Sequence, residues 1–216
     1  MSTCLVGSEM CIRDRPIAHR QAGLSMSYWL RQHGIEHILL ERARVGERWR
    51  SERWDSLHFQ FPSSFVGLPG MPYDGDTPDV FMHRDGVVAT LDRYAAHINA
   101  PVRCGMPVRQ VRPADGGGFL VDLDSHTIAA RNVVSATGPY QTPAVPGIAR
   151  SLPATLMQLT ANRYVNAAQL PPGKVLVVGA GSSGYQIAED LMENGRDVFL
   201  AVGPHRRLLR RYRGRD

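Results

Sequence analysis

The chain has 216 residues, with 25 Lys and Arg against 20 Asp and Glu, a formal net charge of +5. Hydrophobic residues make up 43% and aromatics 7%, the balance of a globular chain of one large or two small domains rather than a disordered or fibrous one. No apolar run approaches the roughly 18–20 residues of a membrane-spanning helix, so no integral membrane protein and no membrane attachment is expected. Three cysteines, Cys4, Cys11 and Cys104, form no disulfide framework and no CxxC pair, and a cytoplasmic location fits them best. Residues 205–216 carry six Arg and one Asp and so hold the whole net charge. That basic tail comes with no stacking-aromatic or helix-turn-helix module, and no nucleic-acid partner is expected.

The first fifteen residues show neither strand alternation nor a helical stripe, and lack the long apolar core of a signal peptide. CLVGSEMCIRDR resembles a translated sequencing-adapter read, and residues 1–20 are taken as a non-native or corrupted segment. From residue 21 the pattern becomes legible. GLSMSYWLRQHG predicts a short helix with apolar Leu24, Met26, Tyr28, Trp29 and Leu30, stopped at Gly34. HILLE, ending at Glu41, reads as a buried strand. Residues 43–80 have no clear period and read as a long structured loop. A helix is predicted over about 85–98, followed by three short strands within 101–138, where Phe119, Val121 and Leu123 alternate with polar neighbours. Residues 139–173 carry six prolines and no strong period, as a linker would.

KVLVVGAGSSGYQIAEDLMENGRDVFLAVG is the clearest unit. It predicts a strand over 174–178, a Gly-rich turn, a helix over 182–194 and a second strand over 197–202. Gly179-Ala180-Gly181-Ser182-Ser183-Gly184 fits GxGxxG in the context that a dinucleotide-binding unit requires. Gly179 permits the tight turn, Gly181 lets a pyrophosphate approach the backbone, and Gly184 lets helix and strand pack closely. Ser182 and Ser183 open the helix whose free N–H groups and dipole favour the anion. An acid at the end of the second strand would meet a ribose 2′-hydroxyl, whereas arginine suits a 2′-phosphate. Here Arg206 or Arg207 follows and no acid does, which favours NADPH over NADH.

Counting back about 20 residues from Glu41 reaches a second turn of this kind, Ala18-His19-Arg20-Gln21-Ala22-Gly23. Only its third glycine, Gly23, is present. Arg20 would put a long side chain where a pyrophosphate must touch the backbone.

The stretch QAGLSMSYWLRQHGIEHILLERARVGERWRSERWDSLHFQFPSSFVGLPG resembles the FAD-binding start of the flavin-containing monooxygenase group, most closely its bacterial branch. ATGPYQTPAVPG is similar to the segment that closes the FAD domain in that group, and GAGSSG supplies the NADPH turn. The resemblance implies an α/β fold, with a Rossmann-like FAD-binding domain over 21–150, a linker over 151–173 and a partial NADPH-binding Rossmann unit over 174–216. It implies that Glu41 holds the ribose of the FAD adenosine, with Arg42 beside it and Gly23 left from the pyrophosphate turn. Trp49 and Arg50 would lie along the flavin cofactor, Pro62 and Ser63 near its ring, and Gly138 in a turn close to FAD. Asp55 is read as an Asx turn or cap in preference to a role in orienting the cofactor. In such enzymes NADPH reduces the flavin, which activates O2 to oxygenate a small organic substrate. The chain departs from the group where Baeyer–Villiger members carry a His-Ser pair: Thr160 and Ala161 stand there. The other readings are an inactive chain that retains only NAD(P)H binding and a flavin-dependent reductase; the missing CxxC argues against a disulfide reductase.

Overall fold

A computed structural model describes residues 21–138 and 142–203, together with the backbone of residues 4–7. In chain order the first elements are β1 (Cys4–Gly7), α1 (Gln21–Gln32), β2 (His37–Leu40), α2 (Glu47–Ser51) and β3 (His58–Pro62). Next come β4 (Phe81–His83), α3 (Arg84–His97), β5 (Val102–Arg103), β6 (Gln110–Pro113), β7 (Phe119–Asp122) and β8 (Thr127–Ala130). The last are β9 (Asn132–Ser135), β10 (Val175–Val178), α4 (Ser182–Glu193) and β11 (Val198–Ala201). They gather into two compact units. One takes Met1–Glu47, Gly67–Asp74 and Val88–Gln141; the other takes Arg48–Val66, Gly75–Val87 and Thr142–Asp216.

The first unit is built on a four-stranded sheet of order β5-β2-β1-β9, with β6-β7-β8 as a separate antiparallel meander. Strand β2 is buried on both faces, with Leu39 and Leu40 each 1% exposed, because alternate residues meet different partners. Leu40 and Ile38 pack with Val108, Val121 and Leu123 of the meander side. Leu39 shares a small cavity with Leu24 of α1 and Leu91 of α3. The predicted alternation along β7 holds at Val121 and Leu123, which are buried, whereas Phe119 is exposed. Where three strands are predicted over 101–138 there are five, since β5 and β9 add to the main sheet.

Helix α1 stops as expected, with Gly34 at φ +66° in the left-handed region that glycine tolerates. Its buried stripe is Gly23, Leu24, Ser27 and Leu30, so the apolar Trp29 faces outward and the polar Ser27 faces inward. Ser27 has a reason to be inside. Its hydroxyl lies 2.8 Å from His37 Nε2, and His37 Nδ1 lies 2.8 Å from the Ile35 carbonyl. That carbonyl makes Nδ1 the donor and leaves Nε2 to accept from Ser27.

Residues 4–7 form a strand, contrary to the reading of that segment as patternless. β1 pairs with β2 and with β9, antiparallel to both. Strands β2, β5 and β9 therefore run one way, and β1 alone is reversed. The short apolar run CLVG satisfies the backbone groups that β2 and β9 would otherwise leave open.

In the second unit β10 and β11 pair in parallel, joined by α4. The sequence reading of the β10–α4–β11 stretch agrees with the structure to within a residue or two at each boundary. Its core gathers Trp54, Leu57, Tyr164, Ala167, Ile187 and Leu191. The stretch 43–80, read as loop, contains α2, β3 and a 3-10 turn at Ser63–Val66. β3 pairs antiparallel with β4 through a register shift, which hides any period from the sequence. Within the stretch read as a linker, Tyr164 and Ala167 are buried in this core.

Candidate nucleotide site

The Gly179–Gly184 turn joins β10 to α4. Gly179 has φ +102°, and its N–H donates to the Ala201 carbonyl at 3.0 Å, which ties the turn to the end of β11. A Cβ at Gly184 would lie 1.8 Å from the Gly179 carbonyl oxygen, so nothing larger than glycine fits. Gly181 caps α4 with φ −78°, a conformation open to any residue, and a Cβ there would meet no atom within 4 Å. Packing does not demand glycine at 181; the free space in front of it is the approach that a pyrophosphate needs.

α4 has no side-chain cap and no acid in its first turn. Ser182 and Ser183 are exposed beside Gly181, and Tyr185 N–H closes the first helical bond to the Gly181 carbonyl at 3.0 Å. The N–H groups ahead of it have no intrahelical acceptor and face the position where an anion is stabilised. The residues present fit a dinucleotide pyrophosphate. Arg206 and Arg207, expected at the 2′-phosphate, lie outside the described residues.

In the first unit the structure brings Gly23, Glu41 and Gly138 to one edge of the main sheet. Glu41 follows β2 and is 6% exposed; it borders the same cavity as Leu24 in the first turn of α1. Its backbone is fixed by Glu41 N–H to the Arg103 carbonyl at 3.0 Å and by Met106 N–H to the Glu41 carbonyl at 2.9 Å. Arg42 follows directly. Gly138, at φ +75°, follows β9, which runs parallel to β2 and so ends at the same edge. These residues fit the ribose end of a nucleotide. β1 does not complete the unit. Its Cys4 lies opposite Leu40 and its Gly7 opposite His37, so it ends at the far edge from Glu41. No described strand leads into α1 through a glycine turn.

Of the residues expected along the flavin, Trp49, Arg50, Pro62 and Ser63 all belong to the second unit. Trp49 packs against the Trp54 core, meets Phe59 edge-on at 6.2 Å between ring centroids, and carries the Arg53 guanidinium 6.0 Å above its ring. Arg50 lies in α2. Pro62 is buried at the end of β3, and Ser63 donates to the Val80 carbonyl at 2.6 Å.

Asp55 is not an Asx cap. One carboxylate oxygen accepts from Arg84 at 2.8 Å and the other from Asn166 at 2.6 Å. Its backbone N–H donates to the Val165 carbonyl at 2.8 Å, and its carbonyl lies 2.7 Å from His83 Nε2. Sequence reasoning found neither Arg84 nor Asn166, because each is distant in the chain and belongs to no motif. Thr160 and Ala161 open a turn in which the Thr160 hydroxyl donates to Asn162 Oδ1 at 2.6 Å. Tyr164, four residues on, donates its hydroxyl to the buried Asp190 of α4 at 2.5 Å; burial and Asp190 both push the Tyr164 phenol well above its usual range.

Residues 21–208 match the sequence profile of a family described as pyridine nucleotide-disulphide oxidoreductase. An uncharacterized oxidoreductase, CzcO-like, of Geobacillus kaustophilus is 40% identical over 188 residues, which are 87% of this chain and 53% of that protein. An indole-3-pyruvate monooxygenase of Oryza sativa subsp. japonica is 30% identical over 184 residues, covering 84% of this chain and 45% of that one. Among solved structures, a flavin-containing monooxygenase from Stenotrophomonas maltophilia superposes with a TM-score of 0.71 at 28% identity, covering 85% of this chain and 55% of that chain. The chain spans about half the length of the curated relatives it matches. By its profile and its α/β architecture it belongs to the pyridine nucleotide-disulphide oxidoreductase family and is similar there to the flavin monooxygenases.

Proposed function

We propose that this chain carries nucleotide-binding parts of an FAD-dependent monooxygenase that uses NADPH, with O2 and a small organic molecule as co-substrates and the cytoplasm as its place of work. The observation that carries the reading is the Gly179–Gly184 cradle. There a Cβ clash explains one glycine, and empty space before an uncapped helix explains another. In this reading the backbone N–H groups of Ser182, Ser183 and Gly184 bind and orient the NADPH pyrophosphate, and Arg206 or Arg207 selects the 2′-phosphate. Glu41 accepts from the ribose of FAD, with Gly23, Arg42 and Gly138 around the same nucleotide. Trp49, Arg50 and Pro62 line the flavin and keep water from it. FAD, when bound, supplies hydride acceptance and O2 activation, chemistry that no side chain here offers. Residues 21–150, 151–173 and 174–216 serve as FAD-binding part, connecting stretch and NADPH-binding part.

The test uses the chain with residues 1–20 replaced by a strand that ends in Gly-Ala-Gly, loaded with FAD. Anaerobic NADPH is expected to bleach the visible flavin band at least about tenfold faster than NADH at equal concentration, a discrimination of about 1.4 kcal/mol. A band that stays oxidised with both nucleotides contradicts the reading.

A further inference from the structure

In the second unit one side chain joins the helix behind the glycine turn to the strand that leads to Pro62 and Ser63. Gln186 stands in the second turn of α4, five residues beyond Gly181. Its Oε1 accepts the His58 N–H at 3.0 Å, and its Nε2 donates to the His58 carbonyl at 3.0 Å. The amide thus pairs with both backbone groups of one residue, as a neighbouring strand would. His58 is the first residue of β3 and is held on its other sides as well. Its Nδ1 lies 2.9 Å from the Ser56 carbonyl, and its ring meets His83 edge-on at 5.4 Å between centroids. The next residue on α4, Ile187, is buried in the Trp54 core, which fixes the rotation of the helix that presents Gln186.

We propose that Gln186 is a positioning residue that makes the start of β3 respond to occupation of the Gly179–Gly184 turn. The inference rests on the reading that this turn binds NADP(H). An anion on the first N–H groups of α4 suppresses opening of that end of the helix. Gln186 sits one turn further on, so the suppressed motion reaches His58 through two hydrogen bonds and continues along β3 to Pro62. The nucleotide thereby steadies the segment expected against the flavin ring before any chemistry occurs.

Backbone hydrogen exchange over residues 58–63 of the full chain tests this, with and without NADP+, beside a titration of NADP+ affinity. In the unsubstituted chain NADP+ is expected to slow exchange at His58 by about five-fold or more, the low end of coupling between two sites. Gln186→Leu keeps the volume and removes both hydrogen bonds. It is expected to bind NADP+ within about two-fold while losing the slowing at His58, since the turn itself is unaltered. Gln186→Glu keeps the acceptor and loses the donor, so it should retain part of the slowing, and it decides the matter if the leucine variant does not fold. Slowing of equal size in Gln186→Leu overturns the proposal, as does NADP+ binding that leaves His58 exchange unchanged in the unsubstituted chain. Failure of that chain to bind NADP+ overturns the functional reading as well, and the titration tells the two failures apart.

Discussion

At the head of α4 each glycine answers a separate physical demand: a left-handed φ at Gly179, open approach at Gly181, contact distance at Gly184. At the head of α1 only Gly23 remains among the described residues, and the strand beside it, β1, runs antiparallel to its neighbours. Both helices are nonetheless anchored in the same manner. A part-buried polar link ties α1 to β2 through Ser27 and His37, and a buried one ties α4 to the 160–170 stretch through Asp190 and Tyr164. Anchoring a helix and building its nucleotide turn are therefore separable. Packing maintains the first wherever the core is present; the second needs a strand delivered to the right edge in the right direction.

The sharpest break in this comparison is Gly184→Ala. The new methyl would overlap the Gly179 carbonyl oxygen, and the turn must open to admit it. A loss of about 3 kcal/mol or more in denaturant unfolding is expected, together with loss of NADP+ binding. Next is Tyr164→Phe, which takes a hydrogen-bond donor from a carboxylate only 6% exposed and should cost about 2 kcal/mol. Ser27→Ala, the matching change on α1, removes a neutral hydroxyl and should cost about 1 kcal/mol by the same measurement. Gly181→Ala separates binding from stability. It should leave unfolding within about 0.5 kcal/mol, yet weaken NADP+ by about tenfold or more in a titration, because the methyl enters ligand space.

The smallest effect is on pH dependence. Burial pushes the Tyr94 phenol from 10.0 up to about 12, while its hydroxyl donates to the Pro69 carbonyl at 2.8 Å. The folded state thus holds the proton more tightly than the unfolded chain. Its stabilising contribution is complete below pH 10 and is lost as pH rises toward 12. Tyr94→Phe should flatten that alkaline limb in thermal unfolding scans.

How much of this was legible in the sequence follows from the range of the interactions. The β10–α4–β11 unit was readable because a strand, a glycine spacing and an amphipathic helix lie in one continuous stretch. Glu41 was readable as the acid that ends the apolar run HILLE, and its burial at the end of β2 follows from that run. β3 was not readable: its partners, His83 and Gln186, lie 25 and 128 residues away, and its exposure follows no alternation. Asp55 looked like a local cap because its partners Arg84 and Asn166 are distant in the chain. Trp29 and Ser27 exchange the faces that hydrophobicity assigns them, because His37 offers the buried Ser27 a hydrogen-bond partner. The reversed β1 depends on vacant edges of β2 and β9, which no local pattern records.

The most direct measurement compares the visible flavin spectrum of the purified chain with that of the variant whose residues 1–20 are replaced by a strand ending in Gly-Ala-Gly. If Glu41, Arg42 and Gly138 form a competent ribose edge that lacks only its pyrophosphate turn, flavin is retained by the variant and not by the parent chain. Flavin in neither protein would contradict a nucleotide site at that edge, and equal flavin in both would contradict the reading of Ala18-His19-Arg20 as a damaged turn.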